Sequence, residues 1–490
     1  MHVLARIAAW SLAVAVFSTG CSVDDPRPPN FIIIFTDDQG YADVGVYGAD
    51  GYETPNLDRL AREGIRFTSF YAVEAACSPS RAALLTGANP MRVSIPHVLY
   101  PRGRRGLNPD EVTLAELLKT AGYATAAVGK WHLGDHPKFL PTNHGFDTYF
   151  GIPYSNDMSP NPANNPREGA NVQYPPIPLI RDTTIVERGP DQTTLVPRYT
   201  EAVTSFIDEH ADEPFFVYLA HSFPHVPLWA SERFAGSTER GLYGDVISEI
   251  DWSVGEIVKT LERLQIDERT VIAFTSDNGP WLIFGNHGGS AGPFREGKGT
   301  TFEGGHRVPG IVWWPSEIPS GQVSDELVTA MDFLPTFARL AGVQIPTDHV
   351  IDGHDIWPLL SGELGAVSPY SEFYYYRARQ LHAVRSGKWK LHVPHRYSAT
   401  EVEGAMIAND GAVGSYGRGE IGLSLYDLER DPAERMNVAA DHPDVVQRLL
   451  MLIERARREL GDAITDSQGD GVRLPGMVDE PWAKQVEGGY

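Results

Sequence analysis

The sequence predicts an α/β protein, in which a large, mostly parallel sheet lies between helices and a smaller C-terminal α+β domain with an antiparallel sheet follows. Up to about residue 365, short apolar runs alternate with amphipathic segments, as in parallel strands joined by crossover helices. Beyond that point, closely spaced strand patterns joined by short turns replace this alternation. The 490 residues also suffice for more than one domain.

The first elements follow in chain order. The apolar run at residues 30–35, NFIIIF, predicts a buried strand. A helix is expected over residues 55–62, with Thr54 as its N-cap and Pro55 in its first turn. The segment that leads to residue 30 is rich in proline and predicts a stiff tether.

A second helix and strand are expected around residues 113–128. Thr113 and Glu116 have the spacing of a capping box, and Gly122 is suited to end the helix. Residues 123–128 then predict a second core strand.

The remaining elements complete the two predicted domains. Residues 215–219 and 271–274 predict core strands, and the helical spacing of apolar residues between 242 and 264 predicts a long helix. In the C-terminal part, strands are expected at 381–385, 389–393 and 423–426, with a closing helix at 445–460. The predicted division is 1–21 signal, 22–29 tether, 30–365 catalytic domain and 366–490 C-terminal domain.

The N-terminus and the charge bear on location and partners. Arg6 precedes an apolar stretch at 7–17, which is typical of an export signal, and residues 18–21 are similar to a bacterial lipobox ending at Cys21. We therefore predict an exported bacterial protein, either periplasmic or a membrane-anchored lipoprotein with lipid on Cys21; ordinary cleavage nearby is the alternative. The net charge of −23 disfavours nucleic acid and anionic membranes as partners.

The segment at residues 77–87, CSPSRAALLTG, carries the strongest chemical signal. Pro79 suits the first turn of a helix, so Cys77 is expected at the helix N-terminus, where free N–H groups favour negative charge. Arg81, one turn later, can point back to the same place. With Cys21 lipidated or removed, Cys77 is the single cysteine of the mature chain, which invites a chemical role; a buried free thiol is the alternative.

Hard oxygen donors follow two of the predicted strands. Asp37 and Asp38 come after the first strand, and Asp277 and Asn278 come after the strand at 271–274. In parallel sheets these ends meet at one edge, and such donors suit Ca²⁺ or Mg²⁺. An adjacent pair of aspartates could also serve a turn or a helix cap.

The segment at 77–87 resembles the signature of the type I sulfatases, C-x-P-S-R-x-x-L-x-T-G, a family of the alkaline phosphatase superfamily. The segments 129–134 (GKWHLG) and 297–305 (GKGTTFEGG) resemble further signatures, and 151–157 (GIPYSND) is similar to a loop of the arylsulfatase A branch, where a histidine often stands at the place of Asn156. The resemblance implies that a separate maturation enzyme oxidises Cys77 to formylglycine (3-oxoalanine). One hydroxyl of the hydrated aldehyde would attack sulfur, and the other would expel sulfate.

The resemblance also implies roles for individual residues. It implies one Ca²⁺ ion, held by Asp37, Asp38, Asp277, Asn278 and residue 77. The catalytic and substrate-binding residues that it implies are Arg81 and Lys130, which hold the hydrated aldehyde, His132 as the base for sulfate release, His225 at the sulfate and leaving group, Lys298 at the bridging oxygen, and Ser155 as a sulfate donor.

The predicted function is therefore an arylsulfatase-like sulfuric ester hydrolase that acts on a sulfated small molecule or saccharide. A phosphate or phosphonate monoester hydrolase of the same superfamily and a non-catalytic binder of sulfated glycans are the alternatives. Selectivity for the leaving group is expected in the loops at 155–195 and 395–420 and in the second domain.

Overall fold

A computed structural model describes residues 27–160 and 174–482 of the chain. The predicted signal peptide, the lipid site at Cys21 and most of the tether lie outside these residues and stay predictions. Among the helices in the described part of the chain, none combines the length and apolar character that a membrane crossing requires.

The described residues contain strands throughout the chain. In order they are β1 (Asn30–Thr36), β2 (Ile65–Phe67), β3 (Phe70–Tyr71), β4 (Arg105–Gly106), β5 (Ala124–Lys130), β6 (Thr148–Ile152), β7 (Pro178–Arg181), β8 (Thr184–Arg188), β9 (Phe215–Ala220), β10 (Thr270–Ser276), β11 (Gly310–Trp313), β12 (Gln322–Ser324), β13 (Val328–Thr329), β14 (Phe373–Arg377), β15 (Gln380–Ser386), β16 (Trp389–His392), β17 (His395–Ala399), β18 (Gly417–Ile421), β19 (Ser424–Asp427) and β20 (Gly476–Met477).

The helices alternate with these strands in the first part of the chain. In order they are α1 (Pro55–Glu63), α2 (Cys77–Thr86), α3 (Leu114–Thr120), α4 (Leu195–Glu209), α5 (Leu242–Leu264), α6 (Glu303–His306), α7 (Phe333–Leu340), α8 (Trp357–Leu360) and α9 (Pro443–Leu460).

Ten strands form one large sheet in the order β12-β2-β11-β10-β1-β9-β5-β6-β7-β8. The five strands from β10 to β6 run parallel to one another, whereas β11, β7 and β8 add antiparallel pairs toward the two sides. A separate antiparallel sheet, β14-β15-β16-β19, packs against α9. The predicted fold class is therefore confirmed, while the domain boundary after residue 365 stays a prediction.

The central strand β1 explains why the sheet is covered on both faces. Ile32 and Ile34 belong to one hydrophobic core, and Phe31, Ile33 and Phe35 belong to another. Because successive side chains of a strand point to opposite faces, a continuous apolar run needs a helical layer on each side. Helices α4 and α5 contribute to the first core, and α2, α3 and α7 contribute to the second.

Two helix starts test the capping predictions. The capping box of Thr113 and Glu116 is present at the start of α3. Thr54 occupies the N-cap position of α1, but its hydroxyl makes no capping bond. It instead donates to Asp58 Oδ1 at 3.1 Å and accepts from the Gly45 N–H at 2.8 Å, so it ties the helix to the preceding loop.

Candidate active site

Polar side chains gather at the carboxyl ends of the parallel strands. Asp37 and Asp38 follow β1, and Asp277 and Asn278 follow β10. The parallel register pairs Thr36 with Ser276, so the two acidic loops leave the sheet side by side. Asp38 has a left-handed backbone (φ 65°), and its N–H donates to Asp277 Oδ1 at 3.1 Å.

Helix α2 brings Cys77 to the same edge. Cys77 is the first residue of the helix, and its side chain is only 2% exposed. The preceding Ala76 provides no side-chain cap, so the first amide groups of the helix have no capping acceptor and leave positive potential around residue 77. Burial raises the pKa of the Cys77 thiol well above its usual value, which favours an uncharged thiol.

Arg81 is fully buried one turn into α2. Its Nη2 and Nε donate to Asp277 Oδ2 at 2.7 and 3.2 Å, and its Nη1 donates to the Lys130 carbonyl at 2.9 Å. Arg81 therefore links α2 to the ends of β5 and β10, with its charge matched by the Asp277 carboxylate.

Two lysines contact the carboxylates of the acidic loops. Lys130, at the end of β5, donates to Asp37 through a very short contact and to Ser155 Oγ at 3.1 Å. Lys298 Nζ lies 2.6 and 2.8 Å from the two oxygens of Asp38 and 3.5 Å from Cys77 Sγ. The centre thus brings three cationic groups, the buried Arg81 and Lys130 and the partly exposed Lys298, to within reach of one nucleophile and one set of carboxylates.

The carboxylates differ in their pKa values. Burial raises the pKa of Asp37, but the charges of Lys130 and Arg81 outweigh burial and hold it well below its usual range. Burial and the neighbouring Asp37 charge raise the pKa of Asp277 to about 7. Such crowding of acidic groups is expected where a bound cation normally balances them.

The two histidines have defined tautomers. His132 Nε2 lies 2.9 Å from the Leu99 carbonyl and must carry a hydrogen to bond it, which leaves Nδ1 without a partner. His225 Nδ1 is similarly bound to the Val226 carbonyl at 2.6 Å, and its Nε2 lies 3.5 Å from Ser155 Oγ. Burial lowers the pKa values of both histidines, so both are neutral and present one unprotonated nitrogen.

The residues present fit a hard divalent cation. Donor atoms of Asp37, Asp38, Cys77 and His225 lie within 4.8 Å of one another. Asp37 Oδ1 and Asn278 Oδ1 are buried and accept no hydrogen bond, so both oxygens are available as ligands. Asp277 is not a member of that four-residue cluster, and its two oxygens accept hydrogen bonds from Arg81 and the Asp38 N–H.

A cavity of about 160 Å³ opens above this cluster. Five of the sequence-predicted residues line it, namely Cys77, His132, Ser155, His225 and Lys298. The carboxylates, Arg81 and Lys130 are instead buried and are not among its lining residues. This volume is sufficient for a sulfate-sized group next to residue 77.

Several lining residues escaped the sequence analysis. Trp281 lies beneath Lys298, with Nζ 4.4 Å from the ring centroid, and Tyr100, Arg377 and Tyr416 complete the rim. Trp281 closely follows Asp277 and could have been noticed on that ground. Arg377 and Tyr416 come from the C-terminal part of the chain. Tyr416 lies within the 395–420 loop in which the sequence analysis expects leaving-group selectivity, whereas no local pattern links Arg377 to the nucleophile.

Comparisons with known proteins agree with this arrangement. Residues 29–343 match the family model described as sulfatase, and residues 368–484 match that for the C-terminal region of aryl-sulfatase. The chain is 39% identical to N-acetylgalactosamine-6-sulfatase of Canis lupus familiaris, over 94% of this chain and 92% of that protein. It is 40% identical to arylsulfatase A of Homo sapiens, over 90% of this chain and 89% of that protein.

Solved structures give the same result. The structure of PsFucS1 sulfatase from Pseudoalteromonas sp. has a TM-score of 0.77 and 28% identity, covering 88% of this chain and 90% of its own. That of Ps i-CgsB in complex with k-i-k-neocarrahexaose has a TM-score of 0.73 and 28% identity, covering 88% and 92%.

The relatives correct the prediction about location. The prediction of a periplasmic or membrane-anchored bacterial protein is contradicted, because the relatives at 39% and 40% identity are mammalian enzymes. The predicted export signal does not by itself distinguish one type of cell from another.

Proposed function

The chain belongs to the sulfatase family and is a sulfuric ester hydrolase, and from this premise we propose how it acts. It hydrolyses sulfate monoesters to an alcohol and inorganic sulfate, using a formylglycine made from Cys77 and one Ca²⁺ ion. The observation that supports this most is that Cys77 lies close to both the cationic and the acidic side chains of the site. Its Sγ lies 3.5 Å from Lys298 Nζ and belongs to the same cluster as Asp37 and Asp38.

The proposed metal ligands are Asp37, Asp38, Asp277, Asn278 and residue 77. When bound, Ca²⁺ supplies a Lewis acid that orients the sulfate and lowers its charge. The unpartnered oxygens of Asp37 and Asn278 support this assignment, and Asp277 would need to share its Oδ2 or Oδ1 with Arg81 or the Asp38 amide.

Cationic side chains stabilise the charge that develops on the substrate. Arg81, Lys130 and Lys298 are held in place by carboxylates, so they are oriented before the substrate arrives. Preorganised donors of this kind each contribute about 3 kcal/mol to transition-state stabilisation. Ser155, which accepts a hydrogen bond from Lys130 at 3.1 Å, is placed to donate its own hydroxyl hydrogen to a sulfate oxygen.

Proton transfer falls to the two histidines. A hydrated aldehyde at residue 77 supplies one hydroxyl that attacks sulfur and a second that expels sulfate when it loses its proton. His132 Nδ1 is unprotonated and lines the same cavity as residue 77, so it can accept that proton. His225 Nε2 faces Ser155 and Asp38 and is unprotonated, so it can accept the proton of the attacking hydroxyl and then pass it to the ester oxygen of the leaving alcohol.

A phosphate or phosphonate monoester hydrolase is the rival enzyme. A phosphonate monoester hydrolase from Silicibacter pomeroyi has a TM-score of 0.61 at 19% identity, a likeness that concerns the fold alone. A sulfated saccharide is the substrate class we propose, since Ps i-CgsB, a structural neighbour, was solved with a bound saccharide.

The test is a comparison of Cys77→Ala with wild-type protein, both produced together with a formylglycine-generating maturation enzyme. Mass spectrometry should detect the aldehyde at residue 77 in the wild type, and kinetics on 4-nitrophenyl sulfate and 4-nitrophenyl phosphate should favour the sulfate. Cys77→Ala and chelated wild-type protein should lack turnover, with Ca²⁺ restoring only the latter. Turnover by the alanine variant, or a preference for phosphate by orders of magnitude, would refute the proposal.

A further inference from the structure

A second, larger cavity of about 470 Å³ adjoins the catalytic cavity. We call it the arginine groove, because Arg377, Arg396 and Arg418 line it. The groove and the catalytic cavity share Gly299, Arg377 and Tyr416 as lining residues, so the two cavities are direct neighbours.

One wall of the groove is the two-stranded ribbon of β17 and β18. The antiparallel register pairs Arg396 with Glu420 and Ser398 with Arg418. Residues at alternate positions of paired strands share a face, so these four side chains lie on the same side of the ribbon, and all four line the groove.

The other wall is fixed to the loop that carries Lys298. Arg377 Nε donates to the Gly299 carbonyl at 2.9 Å, and the Tyr416 hydroxyl donates to the Lys298 carbonyl at 3.2 Å. These two hydrogen bonds hold the groove at a fixed position relative to Lys298, whose ammonium group we place at the ester oxygen.

The charge of the groove is opposite to that of the molecule. Three arginines line it against one carboxylate, Glu420, although the chain as a whole carries a net charge of −23. Arg396 pairs with Glu420 at 2.7 Å, with both side chains exposed, an arrangement that holds an arginine only weakly. Among the described residues, no side chain is hydrogen-bonded or ion-paired to the exposed Arg418.

We propose that the arginine groove binds a second anionic group, a carboxylate or a further sulfate, on an oligosaccharide whose sulfate ester occupies the catalytic cavity. The inference rests on the proposed function of that cavity and narrows its substrate to charged, extended saccharides. Arginine forms paired hydrogen bonds with both kinds of anion, and Tyr416, which lines both cavities, offers an aromatic ring to a sugar.

The experiment compares wild type with Arg418→Ala on three substrates. These are 4-nitrophenyl sulfate, a tetrasaccharide with one sulfate and uronate carboxylates, and a tetrasaccharide with two sulfates and no carboxylate. The KM of at least one tetrasaccharide should rise about tenfold in the variant, the size expected for a lost charge-assisted hydrogen bond, while kcat/KM for 4-nitrophenyl sulfate changes less than about twofold. The tetrasaccharide that is affected identifies the anion.

Arg263→Ala is the matched control. Arg263 lies in the last turn of α5, just before β10 begins. It is therefore near the amino ends of the parallel strands, away from the catalytic cavity, and it pairs with Asp208. Arg263→Ala should leave KM and kcat/KM unchanged for all three substrates. Equal effects of Arg418→Ala and Arg263→Ala, or an unchanged KM for both tetrasaccharides, would overturn the proposal.

A binding measurement separates this inference from the proposed chemistry. Calorimetry with the disulfated and the uronate tetrasaccharides on Cys77→Ala protein, with and without Arg418→Ala, needs no turnover. Weaker binding by the double variant supports the groove even if the wild type were to fail on every sulfate ester, whereas equal binding overturns it even if the wild type is an active sulfatase.

Discussion

At the scale of single residues, the tautomer of His132 makes a kinetic prediction. The Leu99 carbonyl holds the Nε2 hydrogen, and Nδ1 has no partner. If Nδ1 is the base for sulfate release, His132→Ala should slow that step and leave the attack on sulfur intact. We expect kcat to fall by about 10²–10⁴-fold, with a rapid first release of 4-nitrophenol in stopped-flow measurements followed by slow turnover.

His136→Ala provides the comparison, since this histidine follows closely in the chain but does not line the catalytic cavity. It should retain wild-type kinetics. A variant of His132 that loses activity without any initial burst would place its role before or at the attack on sulfur, and the assignment as the base for release would be wrong.

At the scale of elements, the end of β5 depends on a close approach between strands. Gly129 has φ +104°, and a Cβ there would lie 1.9 Å from the Ala220 carbonyl oxygen on β9. Gly129→Ala combines backbone strain with a steric clash, so we expect a loss of about 3 kcal/mol in unfolding free energy. Lys130 is the next residue, and its displacement should also lower kcat.

Gly122→Ala isolates the backbone contribution to that loss. Gly122 also has a positive φ of 81°, but a Cβ there would meet no atom within 4 Å. Urea denaturation should therefore give about 1–2 kcal/mol for this variant, the strain alone, with normal activity. Equal losses of unfolding free energy for the two variants would show that β9 shifts to accommodate the added Cβ without destabilising the protein.

The elements also explain what sequence analysis could and could not predict. The central strands β1, β9 and β10 were predicted because both of their faces are buried, which produces continuous apolar runs. Strand β8 was missed because it is largely exposed and carries no such run. Helix α7 was missed although Pro335 lies in its first turn, where proline is tolerated.

The residues of the candidate site also fall into two groups, those that a local sequence pattern predicts and those that only tertiary packing brings to the site. Cys77, Lys130 and Lys298 stand in short segments whose local pattern is recognisable, and the strand ends bring those segments together. Arg377 and Arg418 meet the site only through the packing of the C-terminal part of the chain on the large sheet. Contacts of that kind depend on tertiary structure, so no local spacing could have predicted them.

At the scale of the whole molecule, a buried ionic network joins the loop after Lys298 to the C-terminal sheet. Lys390 on β16 is fully buried and lies 3.0 Å from Glu303 Oε1 and 2.9 Å from Glu434 Oε1. Tyr375 on β14 donates to Glu303 at 2.7 Å. These contacts fix the position of the arginine groove relative to the catalytic cavity, because α6 follows the Lys298 loop directly.

Lys390→Met should destabilise the protein in a pH-dependent way. Burial alone would raise the pKa of Glu303, but Lys390 and Arg307 outweigh it and lower the pKa well below its usual value. A lowered carboxyl pKa stabilises the fold at pH values above about 4.5 and ceases to do so as pH falls below it. Without the ammonium, two buried carboxylates lose their partner, a loss of about 3–5 kcal/mol at neutral pH.

The measurement is urea unfolding of wild type and variant between about pH 7 and about pH 3. The difference should shrink because, below about pH 4.5, the unfolded chains and the folded variant, in which Glu303 has lost Lys390, take up protons, whereas Glu303 of the folded wild type stays ionised. Lys388→Met is the control, because Lys388 is partly exposed where it pairs with Asp427 at 2.7 Å, so water can solvate the group left behind and the loss should be smaller, about 1 kcal/mol. A difference for Lys390→Met that stays constant across this range would mean that lost packing, and not the buried charges, accounts for the destabilisation. The ionic link between the catalytic loop and the C-terminal sheet would then contribute little to holding the groove beside the cavity.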